Sequence, residues 1–430
     1  MESKQTIGMY LGLRFLDNLD LTELELGNPG IGGTDYCQLF VAQQFLNKYR
    51  VVIYTRELLN IDHRFLQIIV DDELESIKRA STEVDIFIWV AKFPIEELYR
   101  AISNSNMKVI AWVHNYINYK TIKLLRDTRN IKRVVFVGQQ HYDSYIDDTL
   151  IQKSTFIYNI VPYVERPERM LNSNEKKVVY IGAMAKSKGF HVLAKAWKKI
   201  VAKVPEAKLY VMGSVQLYDR TIKMGKFGIA KKEYEDLFMP HLLDENKCIM
   251  PSVIFMGTVG VEKYDIFKST YVGVPNPSGL TETFCLSAVE LESCGVPIAT
   301  YRGYGLLDTV KHGVTGLQSR NSNQLADNII KLLTNDVLNK KLGSNAIEYV
   351  KKFDTEIIMP EWFKLVDDII QGKSADNLFS HKNYFDDWKW LKYVLYLIKH
   401  YLPLSFIPSV SYGTSYVKSM IKEIIQKVRR

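Results

Sequence analysis

Two glutamates, Glu282 and Glu290, stand eight positions apart in the stretch PNPSGLTETFCLSAVELESCGVP, Pro275 to Pro297. The first closes a loop after a strand-like run. The second falls about two turns into the helix that Thr283, Phe284, Cys285 and Leu286 lead into. Glu290 has Leu286, Ala288, Val289 and Leu291 for neighbours, and a carboxylate in such company is costly unless a ligand donates hydrogen bonds to it. A vicinal diol, such as a ribose, suits it. Spacing alone does not distinguish this pair from ordinary acids in a chain with 48. A second stretch, GNPGIGGTDY, follows the first strand and opens the first helix. Its glycines would let backbone N–H groups approach an anion at the helix's positive end. An ordinary glycine turn is the alternative.

Several chemistries are disfavoured. No G-x-x-x-x-G-K-[ST] occurs, and Gly30-Ile-Gly32-Gly33-Thr-Asp35 carries an acid where a dinucleotide fingerprint has its third glycine, which argues against a Rossmann oxidoreductase. Neither Asp-x-Asp nor H-E-x-x-H is present, so no metal is expected. Cys37, Cys248, Cys285 and Cys294 form no C-x-x-C pair and read as reduced thiols.

The elements that must position these residues recur along the chain. IGMYLGL, RVVIYT, VDIFIWV, KVIAWVHN and RVVFVG read as buried parallel strands between helical stretches. After the polar run that follows Pro162, the alternation restarts with KVVYIGA, AKLYVMG, VIFMGTV, TYVGVPN, VPIATY and TGLQS. A second α/β domain is therefore expected from near Val178, with helices from Asn323 to about Asp367. At 430 residues, with 47% hydrophobic and 24% charged side chains, the chain has the composition of a folded protein of two or three domains.

The net charge of +8 is concentrated at one end. From Tyr384 to Arg430 eight Lys or Arg face three Asp or Glu, a net +5. Trp388, Trp390, Tyr393 and Tyr396 alternate there with Lys389, Lys392 and Lys399, as in segments that lie in a membrane interface. Ser415 to Arg430 continues with an apolar face and basic residues elsewhere. A helical element packed on the body, or a dimer contact, is the alternative. The apolar run Tyr393 to Ile398 is far short of the ~18 residues a spanning helix needs, and the N-terminus does not read as a signal peptide. Nucleic acid is not expected as a partner.

The run from Pro277 through Glu282, Phe284, Glu290, Cys294, Gly295 and Pro297 resembles the Glu-(seven residues)-Glu signature of retaining glycosyltransferases of family 4. Val179-Tyr-Ile-Gly182 with Lys188-Gly189, Met212-Gly213, Gly257-Thr-Val259, Trp112-Val-His114 and Gly32-Gly33 are similar to further segments of that family, in order, over roughly residues 6–370. The resemblance implies a GT-B fold: two facing Rossmann-like α/β domains with a cleft between them, plus here a basic aromatic helical extension. The expected division is 1–170 (acceptor side), 171–353 (nucleotide-sugar side), a crossover helix at 354–373 and a tail at 384–430.

It further implies catalytic roles for Glu282, Lys188 and His114. Donor contacts are implied for Glu290, Gly32, Gly33, Gly182, Lys186, Gly257, Val259, Thr283, Phe284, Cys285 and Leu286. Glu290 would hold ribose hydroxyls, Glu282 hydroxyls of the donor sugar, and Lys188 the departing diphosphate. The family commonly has an arginine directly after the glycine, where this chain has Ala183; Lys186, two residues before Lys188, is the candidate replacement, and an ordinary surface lysine is the favoured alternative.

The implied activity is transfer of a hexosyl or N-acetylhexosaminyl group, with retention, from a nucleoside diphosphate sugar to an acceptor hydroxyl. A UDP-sugar is slightly favoured as donor, without a cofactor, and same-face attack is the mechanism such enzymes generally favour. Bacterial surface polysaccharide or glycoconjugate synthesis is the expected setting, with a glycan or lipid-linked acceptor, a cytoplasmic location at the inner face of the plasma membrane, and homo- or hetero-oligomers left open. The alternatives are a catalytically weak GT-B-shaped binding or partner protein and a nucleotide-sugar epimerase.

Overall fold

The computed structural model describes residues 4–13, 19–164, 169–215, 223–375, 388–402 and 407–417. The chain divides into two units: Met1–Asn18, Val41–Tyr158 and Met359–Arg430 form one, Leu19–Phe40 and Asn159–Ile358 the other.

The first unit holds a seven-stranded parallel sheet. Its strands are β1 (Thr6–Leu11), β2 (Arg50–Thr55), β3 (Leu66–Ile69), β4 (Ile86–Val90), β5 (Lys108–Val113), β6 (Ile131–Phe136) and β7 (Ser154–Phe156), in the order β3-β2-β1-β4-β5-β6-β7. The order reverses beside β1, as in doubly wound folds. Every residue of IFIWV in β4 is buried, as expected of a parallel strand covered by helices on both faces. The core includes Phe87, Trp89, Val109, Ala111 and Phe136. The helix Thr355–Ile370 sets Trp362 against Trp112, with ring centroids 4.7 Å apart. The Lys108 ammonium donates to the carbonyls of Ile369 and Ile370 at that helix's end, where cations are favoured.

The second unit repeats the scheme with six parallel strands. They are β8 (Lys176–Ile181), β9 (Ala207–Met212), β10 (Val253–Gly257), β11 (Thr270–Gly273), β12 (Ile298–Tyr301) and β13 (Gly316–Ser319), in the order β10-β9-β8-β11-β12-β13. Its core gathers Val178, Tyr180, Phe190, Trp197, Leu209 and Phe238. All eleven strand-like runs read from the sequence are strands; β3 and β7 are additional. Residues 19–40, expected in the first domain, cluster with the second unit. The reason is local: the Lys263 ammonium donates to the Asn28 carbonyl at 2.9 Å, and Gly27 packs where a side chain would collide with Tyr264.

The tail contributes a helix, Lys389–Tyr401, to the first unit. Of the expected second basic stretch, residues 418–430 lie outside the described residues. Among the described residues no helix is long and apolar enough to cross a membrane.

One buried group of the first unit makes acid sensitivity predictable. His141 lies among the rings of Tyr116, Phe136 and Tyr145, and burial pushes its imidazole down to about 3 from an ordinary 6.5. Unfolding frees the ring to take a proton below 6.5, which the folded protein refuses until about 3. Stability is therefore lost as pH falls through that window, by up to ~1.4 kcal/mol per unit. In thermal melts between pH 7 and 4, His141→Phe is expected to flatten the fall in midpoint relative to wild type.

Candidate functional site

In open parallel sheets ligands bind beyond the carboxyl ends of the strands that flank the order reversal. In the second unit those strands are β8 and β11. The loop after β8 runs from Gly182 to Gly189 and feeds α1 (Phe190–Lys203); the loop after β11 runs from Val274 to Cys285 and feeds α2 (Leu286–Ser293). The two loops touch. Ser278 Oγ donates to the Ser187 carbonyl at 3.3 Å, and Gly189, at φ 71°, sits where a Cβ would come within 2.5 Å of Ser278 Cβ. Only glycine fits a left-handed residue under such contact. Gly189→Ala is expected to cost at least ~1–2 kcal/mol and to separate the loops, read as a lower denaturant midpoint with weakened nucleotide binding.

Lys188 and Glu282 meet across this contact. The Lys188 ammonium lies 2.9 Å from Glu282 Oε2, and the same oxygen accepts from Asn276 Nδ2 at 2.8 Å. The Glu282 side chain is 8% exposed, that of Lys188 29%, so the carboxylate anchors a cation that still reaches solvent. The loop holds Asn276, Gly279 and Thr281 at φ 38°, 68° and 57°. A β-branched residue at positive φ is a genuine outlier, of the kind that clusters at ligand sites.

Directly after it, α2 begins with Cys285 as its cap residue and no side-chain cap hydrogen bond. Burial, reinforced by the Glu282 charge, pushes the Cys285 thiol up to about 12, so it stays neutral and adds no negative charge at the helix's positive end. Thr283, Phe284 and Cys285 are buried there.

Glu290 lies farther along α2, 5% exposed. Its Oε1 is 2.8 Å from the Lys263 ammonium, and the Tyr264 hydroxyl donates to the same oxygen at 3.4 Å. Lys263, itself buried, also donates to the Asn28 carbonyl. Asn28 in turn shapes the glycine loop: its Oδ1 accepts from the amides of Gly30 and Ile31, both at 2.9 Å. Gly33 abuts α2, since a Cβ there would be 2.8 Å from Leu286 Cδ1. Gly30 faces the Thr258–Gly260 turn in the same way, and the Gly257 carbonyl accepts from the Gly213 amide at 2.7 Å.

Gly32, Gly33, Gly182, Lys188, Gly257, Val259, Glu282 to Leu286 and Glu290 thus all belong to the second unit, gathered in the contacts just described or in the loops that make them. Lys186 is in the same loop as Lys188 but exposed, and Ala183 is buried. His114 belongs to the first unit, at the end of β5. It packs on Trp112 at 4.5 Å, and burial, with Lys92 and His141 nearby, holds its imidazole neutral, well below the ordinary range. Lys263, Asn28 and Asn276 were not foreseen. Asn-Pro-Gly is a turn signal that could have singled out Asn28; no local pattern marks Lys263.

Residues 164–349 match the family model "Glycosyl transferases group 1". The chain is 26% identical over 200 residues to the capsular polysaccharide biosynthesis glycosyltransferase CapM of Staphylococcus aureus, covering 46% of this chain and 47% of that one. To an uncharacterized glycosyltransferase of Methanocaldococcus jannaschii it is 25% identical over 237 residues, 53% and 57% of the two chains. The matched stretch thus spans about half the length of these relatives. Among solved structures, Anabaena HepE in complex with UDP-glucose superposes with a TM-score of 0.65 at 14% identity, covering 84% of this chain and 99% of that one. The fold is that of GT-B glycosyltransferases, with two Rossmann-like parallel-sheet domains.

Proposed function

We propose that this protein is a retaining glycosyltransferase that moves a hexosyl or N-acetylhexosaminyl group from a nucleoside diphosphate sugar to an acceptor hydroxyl. The observation that carries the reading is the convergence of a solvent-reaching cation, a helix N-terminus without a side-chain cap and a glycine loop at the switch point of the second sheet. That is the equipment a diphosphate needs. HepE, similar in fold, is described with UDP-glucose, which supports a UDP-sugar as donor.

Lys188 faces the leaving diphosphate and neutralises the charge that develops there, while the first-turn amides of α2 share it. Glu282 holds Lys188 in place and presents its remaining acceptor capacity to the donor sugar. Glu290 accepts from the ribose diol, with Lys263 holding it in place. Gly182, Gly257 and Val259 line the approach of the nucleotide. His114, neutral by burial, is assigned to the reacting centre on resemblance alone.

The match to CapM and to the poly(glycerol-phosphate) alpha-glucosyltransferase of Bacillus subtilis supports an acceptor in bacterial surface polysaccharide or glycoconjugate synthesis, reached from the cytoplasmic face of the membrane. Anomeric proton couplings in the purified product test retention: product with the donor's configuration supports the reading and inverted product overturns it. Ala183 favours a second reading. With no cation at that position, a protein that binds the nucleotide sugar but turns it over poorly would show binding without nucleotide release.

A further inference from the structure

We infer that the C-terminal helix Lys389–Tyr401 docks this protein on an anionic membrane surface, through the face opposite the one that holds it to the first unit. The helix is amphipathic the wrong way round for a surface element. Two of its three lysines turn inward: the Lys392 ammonium, in a residue only 4% exposed, donates to the Ser144 carbonyl at 2.8 Å, and that of Lys399 donates to the Asp147 carbonyl. Asp147 extends the clamp, accepting from the Val410 amide at 2.6 Å.

Trp390, Leu391, Val394, Tyr401 and Leu402 point the other way, from 45% to 74% exposed, and Trp388 just before the helix is 62% exposed. At helical spacing Trp390, Leu391, Val394 and Tyr401 share little more than a quarter of the circumference, opposite Lys392 and Lys399, and Leu402 follows at the helix's end. One buried and one half-buried ammonium group thus fix a helix that presents tryptophan, tyrosine and aliphatic side chains to solvent. A lone helix packed for stability would be turned over.

The composition of that face selects the occupant. Trp and Tyr with aliphatic neighbours are the residues that sit at headgroup level. A single shallow apolar contact holds weakly unless a basic segment adds a second attraction. The sequence supplies one directly after Tyr416 and Val417, themselves exposed: residues 418–430 contain Lys418, Lys422, Lys427, Arg429 and Arg430 against Glu423 alone. The inference stands independently of the transferase reading.

Flotation of the full chain with phosphatidylcholine vesicles, and with vesicles enriched in phosphatidylglycerol, tests it. The wild type is expected to rise with the anionic vesicles, less so at high salt, and to stay behind with the neutral ones. Trp390→Ser with Val394→Ser, both exposed on this face, is expected to weaken this partition at least about tenfold with an unchanged melting midpoint. Equal flotation of the double variant, or no flotation of the wild type with either vesicle, would overturn the proposal. So would self-association of the wild type that the double variant abolishes, because the face would then belong to a second copy of the chain.

Discussion

Glu290→Ala is expected to lose both donor binding and stability. Its carboxylate is the ion-pair partner of Lys263, whose side chain is only 3% exposed. With the glutamate gone, the ammonium keeps the Asn28 carbonyl and the face of the Tyr264 ring, which do not balance a buried charge. Breaking one half of such a pair costs ~3–5 kcal/mol, so the denaturant midpoint should fall markedly. If the same carboxylate also accepts from a ribose diol, losing those charge-assisted bonds weakens nucleotide binding by about 10- to 100-fold. The two effects are separable. Glu290→Gln combined with Lys263→Met removes both charges together and should recover most of the stability while nucleotide affinity stays low. Calorimetric titration of the double variant with nucleoside diphosphate decides: wild-type affinity would show that Glu290 is structural only.

Lys188→Ala should act on the reaction more than on the fold. The lysine is partly exposed, but its removal leaves the buried Glu282 carboxylate with the Asn276 hydrogen bond and without its cation, so a modest loss of stability accompanies the loss of turnover. Catalysis on a departing diphosphate depends on charge that grows in the transition state, and removal of one preorganised donor to such charge costs about 10²- to 10³-fold in turnover. Ground-state affinity for the intact donor should fall less, because a helix N-terminus still faces the phosphates. The expected signature is a kcat depressed far more than KM is raised, with a melting midpoint lowered less than in Glu290→Ala. Ala183 sharpens this expectation, since no second cation stands directly after Gly182 to share the load. A kcat within threefold of wild type would assign the leaving-group charge elsewhere.

The strands were legible where burial is complete. IFIWV in β4 and RVVIYT in β2 are continuous apolar or β-branched runs because a parallel strand covered on both faces has no polar side to show. β3 and β7, the edge strands of the first sheet, escaped because β3 is short and exposed at both its ends and β7 is only three residues long. The positions of Glu282 in the loop after β11 and of Glu290 on α2 were legible from spacing joined to resemblance, and the placement of Cys285 and Leu286 at a helix start followed from the same motif. The ion pair of Glu290 was not. Lys263 stands 27 positions earlier in a run that reads as an ordinary amphipathic turn, and only tertiary packing brings it to the carboxylate. For that reason the sequence alone suggests that Glu290→Ala would leave the fold intact. The transfer of residues 19–40 to the second unit was hidden for the same reason, because it rests on Asn28, Gly27 and Gly33 meeting Lys263, Tyr264 and Leu286.

Release of nucleoside diphosphate from a panel of UDP-, GDP- and ADP-sugars, with wild-type protein and Lys188→Ala side by side and binding of each nucleotide recorded in parallel, tests the central claim most directly. The account predicts that one donor class is turned over by the wild type, and that the variant binds that nucleotide but releases at least about a hundredfold less. Equal release by the two proteins, or binding without release by the wild type when acceptor glycans are supplied, would contradict it.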